Sequence, residues 1–181
     1  MAFNVANFAS KIGTAGVAKA SHYNVTVSFP QGSGLSPDGE DLSFRAESVE
    51  LPGRTVMAIS YRDYGTPREI GYSAMYTPST ITFLASKDLK ERTLFTRWQD
   101  LIVGSHAAKG FAAGSDFDAG YYENYIATIN IDQYDEAGDV HYKCKLIEAY
   151  PRVVNATTLS YASDEFIKIS VQFQYRYFIE S

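Results

Sequence analysis

Apolar and polar residues alternate along several short segments of the chain, which is the pattern of half-buried β-strands. Strands are predicted at residues 23–29, 42–49, 80–84, 125–132, 140–146 and 167–177. The fourth and fifth form a hairpin around the turn sequence DEAGD, and Tyr150 with Pro151 is expected to end the fifth. The last strand alternates without interruption and would be about 35 Å long.

One segment shows helical periodicity instead. Its apolar residues on one face are Leu94, Phe95, Trp98, Leu101 and Ile102. The predicted helix spans about 86–103, with Ser86 as N-cap and Gly104 as the C′ residue. Asp88 and Arg92 are spaced for an ion pair one turn apart. We expect this helix to cover a sheet.

Residues 50–78 follow neither period for long enough to predict a helix or a core strand. Their apolar members are Val56, Met57, Ile59, Tyr61, Tyr64, Ile70, Tyr72, Met75 and Tyr76. Loops longer than about 15 residues are uncommon in compact domains, and disorder requires a less hydrophobic composition. We therefore expect 53–78 to be a long, β-rich loop that covers another subunit.

Composition supports one mainly β domain, 1–181, preceded by a weakly apolar arm at 1–20. The 181 residues suit one domain, and the 14 Tyr and 11 Phe favour strands and interfaces. The net charge of −5 argues against a general nucleic-acid binder. The N-terminus does not resemble a signal peptide, and no apolar run approaches the ~18 residues of a membrane span. These features predict synthesis in a cytoplasm.

No pattern of catalytic, metal-binding or cofactor-binding residues is found. His22, His106 and His141 are far apart in the sequence, and Cys144 falls on the apolar face of a strand, where a buried inert thiol is expected. A single cysteine also excludes an internal disulfide. The sequence predicts a protein that is not an enzyme and has no cofactor.

The long final strand favours association, because an unprotected strand edge pairs with other chains. If the edge of one copy meets the opposite edge of the next, the contact is heterologous, and a fixed rotation closes it into a ring. A self-contained sandwich with a covered edge fits the residues equally well. The tyrosines alone also allow a monomeric β-sandwich that binds a small ligand or glycan.

Four motifs in order resemble the tail tube proteins of contractile-tailed bacteriophages. They are the corner Leu51, Pro52 and Gly53, the helical pair Trp98 and Gln99, the pair Tyr150 and Pro151, and the aromatic ending from Tyr175 to Phe178. The resemblance extends over almost the whole chain from about Ser21. The loops at 31–41 and 105–120 are insertions relative to this pattern.

The resemblance implies a β-barrel-like sandwich flanked by one helix, which assembles into stacked hexameric rings. The rings would form the inner tube of a contractile tail in the virion, assembled in the host cytoplasm, through which genome DNA is ejected. Its partners would be a surrounding sheath and, at the tube ends, baseplate or initiator and tail-terminator proteins. The tubes of bacterial secretion and injection systems are the alternative within this resemblance.

The resemblance also implies which residues touch neighbouring copies. These candidates are Phe3, Phe8, Arg54, Met57, Tyr61, Tyr64, Tyr72, Tyr76, Tyr175 and Tyr177. A lumen that carries DNA should not hold phosphates, yet the polar faces of the clearest strands carry His141, Lys143, Lys145, Lys168 and Arg176. Either these residues lie outside the lumen or carboxylates such as Asp132 neutralise them.

Overall fold

Strands dominate the computed structural model, which describes residues 19–31, 33–35, 39–105, 117–159 and 165–181. The strands are β1 Tyr23–Ser28, β2 Ala46–Val49, β3 Gly53–Tyr61, β4 Arg68–Thr77, β5 Ser79–Leu84, β6 Val103–Ser105, β7 Phe117–Ala119, β8 Ala127–Tyr134, β9 Val140–Val154, β10 Lys168–Gln174 and β11 Tyr177–Glu180. The helices are α1 Gly39–Phe44, α2 Lys90–Ile102 and α3 Tyr122–Tyr125. The predicted class, mainly β with a flanking helix, is confirmed.

Two antiparallel sheets share the long strand β9. Sheet A has the order β1-β8-β9, with β11 on the other side of β9. Sheet B has the order β9-β10-β5-β2 and uses the C-terminal part of β9. Glu148 adopts a φ of 55° between the two parts, and the strand changes partners around it. The hydroxyl of Tyr23 on β1 donates to the carbonyl of Ala46 on β2 (3.2 Å), which links the far edges of the two sheets.

The inward faces of both sheets form one apolar core. Its fully buried members include Val25, Ile129, Ile131 and Leu146 from sheet A, and Ile81, Phe83, Ile169, Val171 and Phe173 from sheet B. From α2, Phe95 lies 5.2 Å from the ring of Phe83, and the Trp98 ring lies 6.2 Å from that of Phe173. The predicted apolar face of the helix is therefore the face that covers the core.

The prediction of one long final strand was wrong. The chain forms β10, breaks at Tyr175 and Arg176, and continues as β11. β10 pairs with the C-terminal part of β9, whereas β11 pairs with its N-terminal part. The apolar-polar pattern of the sequence runs on through Tyr177, but the buried face changes at the break: Tyr175 is buried, Tyr177 is 37% exposed, and Phe178 packs against the core. The sequence pattern therefore could not show the change of sheet.

The prediction that Tyr150 and Pro151 end their strand was also wrong, because β9 continues to Val154. Pro151 lacks an N–H, which is tolerated at the edge of a sheet. The Gln99 side chain of α2 donates to the carbonyl of Arg152 at 3.3 Å. A helix residue thus satisfies part of this edge.

Three further boundaries differ from prediction. Residues 42–49 are not one strand: α1 occupies the first part, where Leu42 is buried and the Ser43 hydroxyl donates to the Asn24 side chain. Tyr125 ends α3 and precedes β8. Gly104 lies in β6, whose register pairs it with Asp118, so the two ends of the loop at 105–120 form a short ribbon.

The start of α2 also differs from prediction. The helix begins at Lys90 after Leu89, which has a left-handed φ of 51°, so Ser86 is not its N-cap. The predicted ion pair of Asp88 with Arg92 is replaced: Arg92 donates to the carbonyl of Asn155 at 3.2 Å, and Asp88 lies 4.0 Å from Lys90.

The Glu91 side chain connects the first turn of α2 to Ser86 and to Arg45. Its carboxylate accepts hydrogen bonds from the N–H and hydroxyl of Ser86, both at 2.9 Å, and lies 3.3 Å from the Arg45 guanidinium. Burial by itself would raise the pKa of Glu91, but these hydrogen bonds and Arg45 outweigh it and hold the pKa below its ordinary value. The ionised carboxylate therefore stabilises the fold.

We expect Glu91→Gln to lower the free energy of unfolding by about 2 kcal/mol at neutral pH, because it removes a buried, paired charge. Since the folded-state pKa is lowered, this contribution is present above the ordinary pKa and is lost as pH falls through the folded-state value. Urea unfolding at several pH values measures the difference, with exposed Glu123→Gln as control. An equal difference between Glu91→Gln and wild type at acidic and neutral pH would contradict this account.

Candidate assembly surface

The stretch without a clear period is a β-hairpin. β3 and β4 pair from Gly53 with Thr77 to Tyr61 with Arg68, and Gly65 at the tip has a φ of 91°. The register shifts between Met57 and Ala58, which leaves one extra residue on β4. Such a bulge breaks the two-residue period, and this explains why the sequence pattern did not predict these strands.

One face of this hairpin is apolar and exposed. Residues directly opposite each other share a face, and the register places Ile59 opposite Ile70. We define the apolar hairpin face as Met57, Ile59, Tyr61, Ile70 and Met75; each of these side chains is between 41% and 59% exposed. Contiguous exposed apolar surface of this kind marks an interaction site.

The opposite face turns toward the body of the protein at the base of the hairpin. Tyr76 packs its ring 6.1 Å from Tyr175 and 5.7 Å from Phe178. The Tyr175 hydroxyl donates to the carbonyl of Thr77 at 2.6 Å, and burial raises the pKa of Tyr175 to about 12. These aromatic residues hold the base of the hairpin to the core, so the apolar hairpin face points away from its own protomer.

We expect Tyr175→Phe to reduce the free energy of unfolding by about 1–2 kcal/mol, because it leaves the carbonyl of Thr77 without its partner. Tyr177→Phe, at a ring that is 37% exposed, should change stability by less than about 0.5 kcal/mol. Chemical denaturation of both variants checks the prediction. Equal stabilities would show that this hydrogen bond does not anchor the hairpin.

The structure separates the predicted contact residues into four groups. Exposed on the hairpin are Arg54, Met57, Tyr61, Tyr64 and Tyr72. Tyr76 and Tyr175 pack within their own protomer, and Tyr177 is partly exposed on β11. Phe3 and Phe8 lie outside the described residues.

Sequence reasoning left Ile59, Ile70 and Met75 out of its contact residues. Each belonged to the apolar stretch, but only the register shows that they share a face with Met57 and Tyr61.

Several of the basic residues that raised the question of lumen charge are paired. The Lys168 ammonium contacts the Glu47 carboxylate, and Arg176 lies 3.0 Å from Glu148. The register places Asp132 opposite Lys143, and His141 lies 3.4 Å from Asp135. Neighbouring carboxylates thus offset part of the positive charge.

Within the described ranges, no group of three or more His, Cys, Asp or Glu side chains could hold a metal ion. Cys144 is 1% exposed, which confirms its expected buried position, and burial raises the pKa of its thiol to about 11. No helix in the same part of the chain is long and apolar enough to cross a membrane.

Comparison with known proteins decides the family. Residues 18–181 match the family described as phage tail tube protein. The chain belongs to the phage tail tube protein family. The resemblance inferred from the sequence motifs is therefore confirmed, and this tail tube protein matches its family over nearly the whole length. No curated protein sequence matches the chain.

Solved structures share the fold of this tail tube protein. One is a chain of the PVC sheath–tube complex of an extracellular contractile injection system in the extended state (TM-score 0.64, 13% identity, 99% of each chain covered). Another belongs to the anti-feeding prophage baseplate (TM-score 0.66, 12% identity, 92% of this chain and 96% of that chain). A third belongs to the anti-feeding prophage cap (TM-score 0.64, 12% identity, 92% and 91%). At these identities the likeness concerns the fold.

Proposed function

We propose that this tail tube protein forms hexameric rings that stack into the inner tube of a contractile phage tail, through which genome DNA is ejected. The observation that carries the proposal is the apolar hairpin face. A two-stranded hairpin is at best marginally stable alone in water, and this one exposes an apolar surface beyond its aromatic base. A neighbouring copy in the next ring would cover that surface.

Contact within a ring is supported by the edges of sheet B. Its order β2-β5-β10-β9 is antiparallel at every step, so β2 and β9 run in opposite directions. The β2 edge of one copy can therefore continue antiparallel pairing with the C-terminal part of β9 in the next. Because the two edges differ, the contact is heterologous and closes into a ring when the rotation permits.

The outward face of sheet B suits a lumen that carries DNA. Its side chains include Thr80, Thr82, Ser170 and Gln172, and the Thr82 and Ser170 hydroxyls lie 3.0 Å apart. None of these groups is charged, and Lys168 at the end of this row contacts Glu47. These four positions carry no charge, and Glu47 offsets the charge of Lys168, so this row would attract phosphates only weakly.

In this proposal the sheath surrounds the tube, and baseplate or initiator and terminator proteins cap its ends. The inner tube of a phage-derived injection or secretion system is the second candidate, because the structural neighbours described above come from such systems. Mass spectrometry of purified particles separates the two. A phage tail tube would be recovered with DNA-filled heads, and an injection tube in headless particles.

The primary test is assembly of the purified protein at increasing concentration. Negative-stain microscopy should show rings or tubes, and sedimentation velocity should show species far heavier than the protomer. A protein that stays monomeric under all conditions would refute the proposal. Saturable binding of a small ligand by such a monomer would instead support the alternative β-sandwich binding module.

A further inference from the structure

Two exposed phenylalanines lie at one end of sheet B. Phe44, the last residue of α1, and Phe166, two residues before β10, are each 85% exposed. The Leu84 N–H donates to the carbonyl of Arg45 at 2.8 Å, and the Ala85 N–H donates to that of Ile167 at 2.9 Å. Phe44 and Phe166 therefore flank the end of β5 from its two sides.

The hairpin leaves from the other end of the same sheet. It follows the end of β2 and returns immediately before the start of β5, whereas Phe44 precedes β2 and Phe166 lies beside the end of β5. β5 has six residues, so about 17–20 Å separates the two ends. Each protomer thus carries an apolar projection at one end and an exposed aromatic pair at the other.

We propose that Phe44 and Phe166 form the receiving surface on which the apolar hairpin face of a second copy docks. This inference rests on the proposed stacking function and names the surface that the hairpin meets. The two surfaces differ and lie at opposite ends, so the contact is heterologous and repeats from copy to copy without closing. Repetition of this kind lengthens a tube ring by ring.

The surroundings of the receiving surface suit an interface. Arg45 lies 3.3 Å from Glu91, and Lys168 contacts Glu47, so the charges beside the phenylalanines are paired within the protomer. An apolar centre with a polar rim is the usual anatomy of a protein interface. Docking there would not bury an uncompensated charge from these four residues.

A groove between β1 and β2 is a weaker candidate for the same role. Its cavity of about 360 Å³ is lined by residues that include Tyr23, Val49 and Leu51. Val49 ends β2 and Leu51 lies in the short connection to β3, so this groove lies beside the base of the hairpin. A neighbour stacked head to tail would present its hairpin at the opposite end.

Cross-linking tests the assignment directly. Ser73→Cys introduces a thiol opposite Met57, and Phe166→Cys introduces one on the receiving surface; native Cys144 is buried and will not compete. Because loss of the Phe166 ring itself weakens docking, the protein that carries both substitutions is assembled at a concentration at least tenfold above that needed by wild type. A short bismaleimide should then give a ladder of covalent multimers. The control protein carries Ser73→Cys together with Tyr121→Cys, at a residue that is 83% exposed. It should give no ladder.

Substitution supplies the second measurement. Phe44→Ser and Phe166→Ser should each raise the concentration needed for assembly about tenfold or more, whereas Tyr121→Ser should leave it unchanged. If wild type does not assemble, the proposed function itself fails. If wild type assembles but both phenylalanine variants match Tyr121→Ser and the Phe166→Cys ladder is absent, the receiving surface is refuted and stacking stands.

Discussion

Ile59→Asp is expected to abolish tube assembly and leave the protomer folded. Ile59 is 59% exposed at the centre of the apolar hairpin face, opposite Ile70. In the protomer the new carboxylate stays hydrated, so stability should change by no more than about 0.5 kcal/mol. In a tube it would be buried without a partner at every copy, at a cost of several kcal/mol each.

The matched control is Ile179→Asp, which replaces an isoleucine that is 49% exposed on β11 and is not part of the apolar hairpin face. Sedimentation velocity and electron microscopy should show no tubes for Ile59→Asp, only single rings and protomers, and tubes for Ile179→Asp, and both variants should unfold as wild type does. Tubes of normal length from Ile59→Asp would show that the apolar hairpin face is not buried on assembly.

Trp98→Ala is expected to lower the free energy of unfolding by about 4 kcal/mol, the largest effect on folding of the changes considered. Trp98 is fully buried, packs 5.1 Å from Phe29 and 6.2 Å from Phe173, and donates its indole N–H to the carbonyl of Tyr125 at 2.7 Å. Its removal leaves a cavity where α2 meets both sheets and leaves that carbonyl unpaired.

Trp98→Phe serves as the comparison, because it keeps an aromatic ring but loses the hydrogen bond and part of the volume. We expect it to be clearly less destabilising than Trp98→Ala in urea denaturation. A loss below about 1 kcal/mol for Trp98→Ala would mean that α2 does not close the core. Comparison of the m-values shows whether either variant changes the surface exposed on unfolding.

The elements that bury one side could be predicted from sequence, because burial imposes a period. β1, β5 and β8 and the apolar face of α2 were all recognised in this way. The same period led to the wrong prediction of one strand across β10 and β11, because every second residue from Ile169 to Tyr175 faces inward up to the break. It also could not reveal that β9 changes pairing partner around Glu148, where a non-glycine residue takes a positive φ.

The candidate site was predictable in kind but not in detail. The apolar content of 50–78 indicated an uncovered surface, and Met57 and Tyr61 were named for it. Tyr76 and Tyr175 looked equivalent to them by composition, yet both pack within the protomer. The sequence could not predict that Phe44 and Phe166 lie near each other, because they are 122 positions apart in the chain. Only the hydrogen bonds of Leu84 and Ala85 show that both lie at one end of sheet B.

The sequence by itself determined the mainly β class, the inward face of α2, the inert position of Cys144 and the family, because each depends on local periodicity or on motifs in order. Only the tertiary structure decided which strands pair, that 53–77 is a bulged hairpin with one apolar face, and that its aromatic base belongs to its own protomer. The physical reason is that strand register and partner choice depend on contacts between distant residues. One residue of slippage exchanges the two faces of a strand without changing the composition of the chain.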